Sequence, residues 1–402
     1  MIIERPYEAR RISEVNKWAL VYGRRKTGKT FLVQNFVRHD EYFFVKNNRT
    51  LLSKESTSLS YETFIELLKR SLADGKTVVV DEFHRLGNDF FDFLHSVKKQ
   101  GKLILISSTL FLSQKLLSSK SALLGLFAEV PIGIISLKDS LAALKSYAPE
   151  KDRLEMALLL REPLAAEYVG EKGARATISM VVLSSLRTIP ALIGEIFGEE
   201  ERELSAIYEG VIRAVAVGKV NSGEISSYLF SRKLIAKDDP SVIQPYLTNL
   251  VSFGILRKLH VLNKNRFVYK IASPLARIYY YCDERYNISE RIVAEKEMLS
   301  FIEELMPRLV EDNIREFLAE KHGLRESVIE SGDFDIDGCL LRFKKPEIAL
   351  EVKWGKIKKE DLAKAEENLG RIDAQQRIVF IQEKKGVSSR TLKVIDVDDL
   401  LR

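Results

Sequence analysis

Apolar positions in the first 140 or so residues come as short runs separated by stretches of helical period. The runs cover 18–22, 42–45, 77–80 and 103–106, with a weaker fifth at 130–135. Between them Phe64, Leu67, Leu68 and Leu72 share one helical face, and Phe90, Phe91, Leu94 and Val97 share another. Buried strands alternating with amphipathic helices predict an α/β fold with a parallel sheet covered on both faces. From 150 to 218 no strand-like run occurs and the pattern is all-helical. Between 203 and 271 the order is three helices and two short strands. Ser222 is the expected cap of the second helix, Asp239-Pro240-Ser241 opens the third, and Gly254 stops it. Strands at 253–260 and 266–271 then form a hairpin around Asn263-Lys264-Asn265, which is the outline of a winged helix. A charged stretch at 283–296 marks a boundary. Beyond it come a helix carrying Leu309, Ile314, Phe317 and Leu318, strands at 339–343 and 348–354, a helix near 359–369 and a strand at 377–382. Four segments follow: 1–148, a helical 149–202, the winged helix 203–285, and a second α/β unit, 295–402.

One motif changes this picture from architecture to chemistry. Gly23-Arg24-Arg25-Lys26-Thr27-Gly28-Lys29-Thr30 satisfies G-x-x-x-x-G-K-[ST] between an apolar strand and the helix begun by Phe31. Such a loop curls its N–H groups around a phosphate, with the helix dipole aimed at the same anion. Gly23, Lys26, Thr27, Gly28, Lys29, Thr30 and Phe31 are the expected ATP contacts, with Lys29 on the β- and γ-phosphates and Thr30 on Mg²⁺. Val78-Val79-Val80-Asp81-Glu82 supplies the second half: a buried strand ending in two acids. Asp81 is expected to hold Mg²⁺ through water, and Glu82 to orient and deprotonate the attacking water. The strand at 103–106 runs into Ser107-Ser108-Thr109, whose hydroxyls face the same edge.

With those residues in view, the chain resembles the archaeal ATPases of the AAA+/STAND type: a P-loop core, a helical lid, a winged helix and a C-terminal nuclease-like domain. Ile2-Ile3-Glu4-Arg5-Pro6-Tyr7-Glu8 resembles the segment of that family that lies against the nucleotide, which brings Arg5 to the site. Ser108 takes the first sensor position, after Ser107 in place of a glycine. Thr188-Ile189-Pro190 resembles the lid's Gly-Gly-x-Pro with both glycines lost, and Leu124-Gly125-Leu126 stands where the family often has Tyr-Gly-Arg. The resemblance implies ATP hydrolysis and a lid that reports nucleotide state. A DNA-reading alternative for the third helix would expose Gln244, Tyr246 and Asn249, with Arg257, Lys258, Lys264 and Arg266 on the wing.

In the C-terminal unit Asp337 precedes Glu351-Val352-Lys353, and in a strand Glu351 and Lys353 point to one face. Two carboxylates can share Mg²⁺ while the lysine stabilises developing charge. This D…E-x-K pattern resembles that of the PD-(D/E)XK nuclease fold, and Glu311 resembles an extra acid found in its Holliday-junction-resolvase-like members. Asp335 rivals Asp337 as the first acid. Asp337, Glu351 and Lys353 are the expected catalytic set, and Glu311, Asp337 and Glu351 the metal ligands.

Composition adds little. The 63 basic and 57 acidic side chains leave a charge of +6, which permits a DNA-binding face without requiring one. Two cysteines, Cys282 and Cys339, lack metal spacing. No apolar stretch has the length of a signal peptide or membrane span, so a cytoplasmic protein with no membrane partner is expected. Expected partners are ATP, DNA, and a second copy of the chain or another protein.

Overall fold

The structure, a computed structural model, describes residues 1–98, 100–108, 125–145, 150–170, 172–194, 202–330 and 334–401. Thr109, Leu124 and Asp333 therefore lie outside the described residues. The chain divides into two compact units, Glu4–Gly133 and Ile134–Arg402 with Met1–Ile3.

In the first unit the strands are β1 (Trp18–Tyr22), β2 (Glu41–Val45), β3 (Leu51–Ser53), β4 (Ser58–Leu59), β5 (Thr77–Asp81), β6 (Lys102–Ser107) and β7 (Phe127–Pro131). Their order is β4-β3-β2-β5-β6-β1-β7. Every pair from β2 to β7 is parallel, and only the β3–β4 extension is antiparallel. The motif-bearing strands β1 and β5 are thus not neighbours: β6 lies between them. Strand side chains alternate, so Val78 and Val80 pack with Phe64, Leu68, Phe90 and Leu94 on one face. Val79, Ile104 and Ile106 pack with Ile12, Leu32 and Val33 on the other. The helices Tyr61–Ala73 and Asn88–Ser96 supply the first layer, Pro6–Glu14 and Lys29–Phe36 the second. Of the expected helix-face residues, Leu67 is exposed.

The fifth strand runs earlier than its apolar run suggested. Pairing with β1 aligns Trp18 with Phe127 and Tyr22 with Pro131. Ala128 and Glu129 break the apolar pattern inside the strand, whereas Ile132 and Ile135 are buried beyond its end.

The second unit starts with helices, among them Glu150–Leu159, Ala174–Ser184, Thr188–Gly194 and Arg202–Ala216, so 150–218 contains no strand among the described residues. Helix Ser222–Ser231 is capped one residue before expectation: Asn221 and Glu224 form the reciprocal capping box, and Ser222 is the first helical residue. Asp239 caps Pro240–Ser252, and Gly254 follows it at φ +69°. Then come β8 (Leu256–Val261), β9 (Phe267–Ile271), the helices Pro274–Tyr286 and Glu295–His322, and β10 (Arg325–Val328). The chain ends with β11 (Gly338–Arg342), β12 (Lys345–Lys353), helix Lys359–Gly370, β13 (Gln376–Ile381), β14 (Lys393–Ile395) and helix Val397–Leu400.

These strands form one sheet, β14-β13-β12-β11-β10-β8-β9. The wing hairpin β8–β9 joins it through parallel pairing of His260 and Val261 with Ser327 and Val328. Leu259, Val261 and Val268 pack beside Val220 and Val328 to seal the seam. The charged stretch 283–296 therefore lies inside one compact unit. Helix Glu295–His322 lies against β10, β11 and β12 and contributes Leu309, Ile314, Phe317 and Leu318 to the core. The helix Lys359–Gly370 packs on the sheet through Ala365 and Leu369. Cys282 and Cys339 are buried free thiols, and no described helix is by itself long and apolar enough to cross a membrane.

Candidate functional site

The phosphate loop sits at the carboxyl end of β1, where open α/β sheets place ligands. Two glycines make it. A Cβ on Gly23 would overlap the Ile132 carbonyl oxygen and lie 3.1 Å from its carbon, so only glycine lets the loop leave β1 beside β7. Gly28 enters the helix Lys29–Phe36 at φ +83°, a left-handed conformation costly for other residues. Lys26 adopts φ +61° at the exposed crown of the loop. Buried Thr27 closes it from within, donating to the Arg24 carbonyl at 2.9 Å. Arg5 braces it from behind: Nη1 donates to the carbonyls of Thr27 (3.0 Å) and Gly133 (3.2 Å), and Glu8 neutralises the guanidinium at 2.7 Å. Arg5 thus supports the loop backbone, a role the resemblance alone did not specify.

Lys29 folds back over the loop and donates to the carbonyls of Gly23 (2.8 Å) and Arg24 (2.7 Å). Burial lowers its pKa to about 8 against the opposing pull of Glu82 and Asp81. A cation so desolvated, hydrogen-bonded to carbonyl dipoles, is poised to move to a stronger anion. Thr30 donates from Oγ1 to Asp81 Oδ2 at 2.7 Å, which unites the two sequence motifs at one point. Asp81 is fully buried, and burial raises its pKa although Thr30, Tyr42 and the Glu82 N–H donate to it. Phe31 leaves the first helical turn exposed, its ring edge-on to Phe36.

Glu82 follows β5 in a left-handed backbone conformation, φ +56°. Its Oε2 meets Ser108 Oγ (3.0 Å), Arg85 Nη2 (3.2 Å) and His84 Nε2 (3.4 Å). Burial and the charges of Arg85 and Arg25 hold His84 down to about 4, so its imidazole is neutral near pH 7. Tyr42, His84 and Arg85 were not singled out from sequence. Tyr42 reaches Asp81 Oδ2 at 2.7 Å from the adjacent strand, a contact that no local pattern marks. A polar run directly after an acidic strand end was the one signal for His84 and Arg85.

In the second unit the end of β12 places Glu351 and Lys353 on one side. Lys353 Nζ donates to Glu351 Oε1 at 2.6 Å, and Glu351 Oε2 is buried with no hydrogen-bond partner. Asp337, just before β11, accepts from the Val352 N–H at 2.7 Å. Burial and the negative charges of Glu311 and Glu351 push Asp337 up to about 8. Asp335 is exposed, so Asp337 is the acid gathered with Glu351. Glu311 acts electrostatically on Asp337 but is engaged by Arg315 at 3.3 Å. Among the described residues no three His, Cys, Asp or Glu side chains converge closely enough to hold an ion by themselves. Mg²⁺ needs only one or two carboxylates and completes its shell with water. Asp337 with the orphaned Glu351 oxygen fits that demand without Glu311.

The DNA-reading surface expected on the winged helix is not free. Tyr246 packs edge-on to Tyr208, and Asn249 donates to the Tyr208 hydroxyl at 2.6 Å, leaving Gln244 exposed on a helix without a single Lys or Arg. Arg257 pairs with Glu326 (2.9 Å) and Glu316 (3.1 Å), Lys264 donates to the Glu330 carbonyl, Arg266 pairs with Glu330, and Lys258 lies over Phe267. The physical reason is the β8–β10 pairing, which brings the acids around β10 to the wing.

Residues 15–137 match a family described as an AAA domain. That match spans the seven strands of the first unit and its G-x-x-x-x-G-K-T loop. An uncharacterized protein of Methanocaldococcus jannaschii is 24% identical over 289 residues, 64% of this chain. The chain spans 62% of that relative's length. Among solved structures, the Aeropyrum pernix ORC1 protein in complex with DNA is 14% identical with a TM-score of 0.30, over 72% of this chain and 94% of that one. Cdc6p from Pyrobaculum aerophilum is 16% identical with a TM-score of 0.25, over 71% and 87%. Neither score equates the folds of the whole chains.

Proposed function

We propose that the first unit binds ATP with Mg²⁺ and hydrolyses it, and that the second unit is a Mg²⁺-dependent nuclease acting on DNA. The first half is carried by the 2.7 Å hydrogen bond from Thr30 to Asp81. A hydroxyl–carboxylate pair at the loop's mouth, its acid fully buried, is the donor set for the ion that accompanies nucleoside triphosphate. Lys29 exchanges its loop carbonyls for the β- and γ-phosphates, and the amides from Lys26 to Thr30 enclose the β-phosphate. Water attacks the γ-phosphorus, Glu82 accepts its proton, and the bond to the β–γ bridging oxygen breaks, leaving ADP and phosphate. Ser108 holds Glu82 Oε2 on the side of the sheet edge where that water would stand.

The second half is carried by the orphaned Glu351 Oε2 beside Asp337 and Lys353. Leaving a buried carboxylate oxygen unpaired is costly, and a bound cation would offset the cost. Asp337 and Glu351 would hold Mg²⁺, which when bound supplies Lewis-acid stabilisation of a phosphodiester oxygen. Lys353, now paired with Glu351, would orient the water and stabilise the negative charge that develops as the phosphodiester opens. The test is cleavage of linear, single-stranded and branched DNA with Mg²⁺ or Mn²⁺, with and without ATP, by wild type and Glu351→Ala. Cuts lost in the variant support the assignment. No cuts by protein that still hydrolyses ATP would refute it.

A second reading has one observation in its favour: Glu311 is paired with Arg315 at 3.3 Å, so one of the expected metal ligands already has a cationic partner. In that reading the unit binds DNA or a protein partner without cutting, and the ATPase is a switch. Binding of DNA by wild type in the absence of any cleavage would select it.

A further inference from the structure

The β11–β12 hairpin turns through two residues, Phe343 and Lys344, between the paired Arg342 and Lys345. Phe343 has φ +58°, a conformation that two-residue hairpin turns usually assign to Gly, Asn or Asp. The residue also leaves 90% of its surface in solvent. Folding rewards neither property. Glycine would relieve the backbone, and a polar side chain would avoid exposing a ring. An aromatic residue held in a left-handed backbone conformation with its ring in solvent points to a role outside the chain's own packing.

The surroundings define the charge of the partner. Lys344 within the turn and Lys345 directly after it are exposed, and among the described residues neither has an ion-pair partner. Arg342 stands beside them, paired with Glu347 at 2.8 Å. A single ring among lysines differs from a membrane-binding face, which needs a broad apolar strip. It matches the way unpaired nucleotides are held, by one aromatic platform per base and cations on the adjoining phosphates.

We propose that this hairpin tip is a nucleic-acid contact, in which Phe343 stacks on an unpaired base while Lys344 and Lys345 neutralise the flanking phosphates. The inference rests on reading the second unit as a DNA-processing domain and adds to it a preference for substrates with unpaired bases. The tip is distinct from the acid cluster: Lys345 and Glu351 stand near opposite ends of β12, about 20 Å apart along the strand.

The experiment uses the full chain carrying Glu351→Ala, with fluorescein-labelled single-stranded, forked and blunt duplex DNA, followed by anisotropy over a salt series. Phe343→Gly should weaken binding of the single strand and the fork by roughly 5- to 100-fold, affect the blunt duplex less, and leave the melting temperature unchanged or higher. Lys344→Ala with Lys345→Ala should lower the slope of log affinity against log salt by about 1.4 for the single strand. Equal affinities in all variants would overturn the proposal, as would a Glu351→Ala parent chain that binds none of the three DNAs. A drop in melting temperature with Phe343→Gly and no change in binding would mean that the ring serves the fold. Outcomes for the two readings separate cleanly. Cleavage by the otherwise wild-type chain with Phe343→Gly binding normally sinks this inference alone, and binding that depends on Phe343 without cleavage sinks the nuclease alone.

Discussion

Replacing Arg315 by methionine should destabilise the second unit by about 3 kcal/mol, the lower end of the 3–5 kcal/mol typical when one partner of a buried ion pair is removed. Arg315 is completely buried. It donates to Glu311 and Glu326 at 3.3 Å each, to Asp312, and to the Asp337 carbonyl at 2.6 Å. Methionine keeps much of the stem, which packs against Gly338 where a Cβ would lie 2.9 Å from Arg315 Cδ, so the loss is of charge rather than volume. Asp312 would retain Arg277 and Lys270, and Glu326 would retain Arg257. Glu311 and the Asp337 carbonyl would lose their donor, which places the expected cost at the low end. At roughly 2–4 °C per kcal/mol for a domain of 150–250 residues, the transition should fall by about 6–12 °C. The chain has two tryptophans, Trp18 in the first unit and Trp354 in the second. In a Trp18→Phe background, thermal unfolding followed by Trp354 fluorescence reports the unit in question. A shift under about 2 °C would refute the reasoning, because it would mean that the stranded acids find water or other donors at little cost. Arg10→Met, in an exposed helical pair with Glu14, is the control and should change nothing measurable.

Four further outcomes are expected. Lys29→Ala should abolish tight ATP binding in calorimetry, and Glu82→Gln should bind ATP while turning over on the order of 10²–10⁴ times more slowly; normal turnover would remove Glu82 as the base. Gly23→Ala forces a methyl into the Ile132 carbonyl and should cost about 1–3 kcal/mol, read as a lower transition in Trp18 fluorescence with weaker nucleotide binding. Burial alone would raise the pKa of Glu316, but Arg161 at 2.6 Å and Arg257 at 3.1 Å bring it down to about 2. A carboxylate depressed on folding stabilises above its unfolded pKa, and that contribution is lost as pH falls toward the folded one. Acid unfolding of the second unit should therefore steepen between about pH 4.5 and 2, and Glu316→Gln should flatten that window; an unchanged profile would show that the pair contributes nothing.

Much of the first unit was legible because its signals are local. A run such as Val78 to Asp81 is buried on both faces and declares a parallel strand within five residues. The phosphate loop is read from eight positions whose backbone demands fall on Gly23 and Gly28. The acids of the second unit were legible as candidates by the alternation along β12, yet Asp335 and Asp337 could not be separated until Asp337 was seen to accept from the Val352 N–H.

By itself the sequence determined the element types, the nucleotide loop, the strand-end acids and the D…E-x-K array, since each depends on periodicity or spacing over a few residues. Tertiary structure alone decided that β6 separates β1 from β5 and that Glu82 is held by Ser108, His84 and Arg85. It also decided that the wing becomes part of a seven-stranded sheet through His260–Ser327 and Val261–Val328 pairing. The strand pairings join residues tens of positions apart, through backbone hydrogen bonds that any sequence can offer. Which edge meets which strand is settled by packing of the whole unit, and the basic wing residues were claimed by acids around β10 whose nearness no local pattern records.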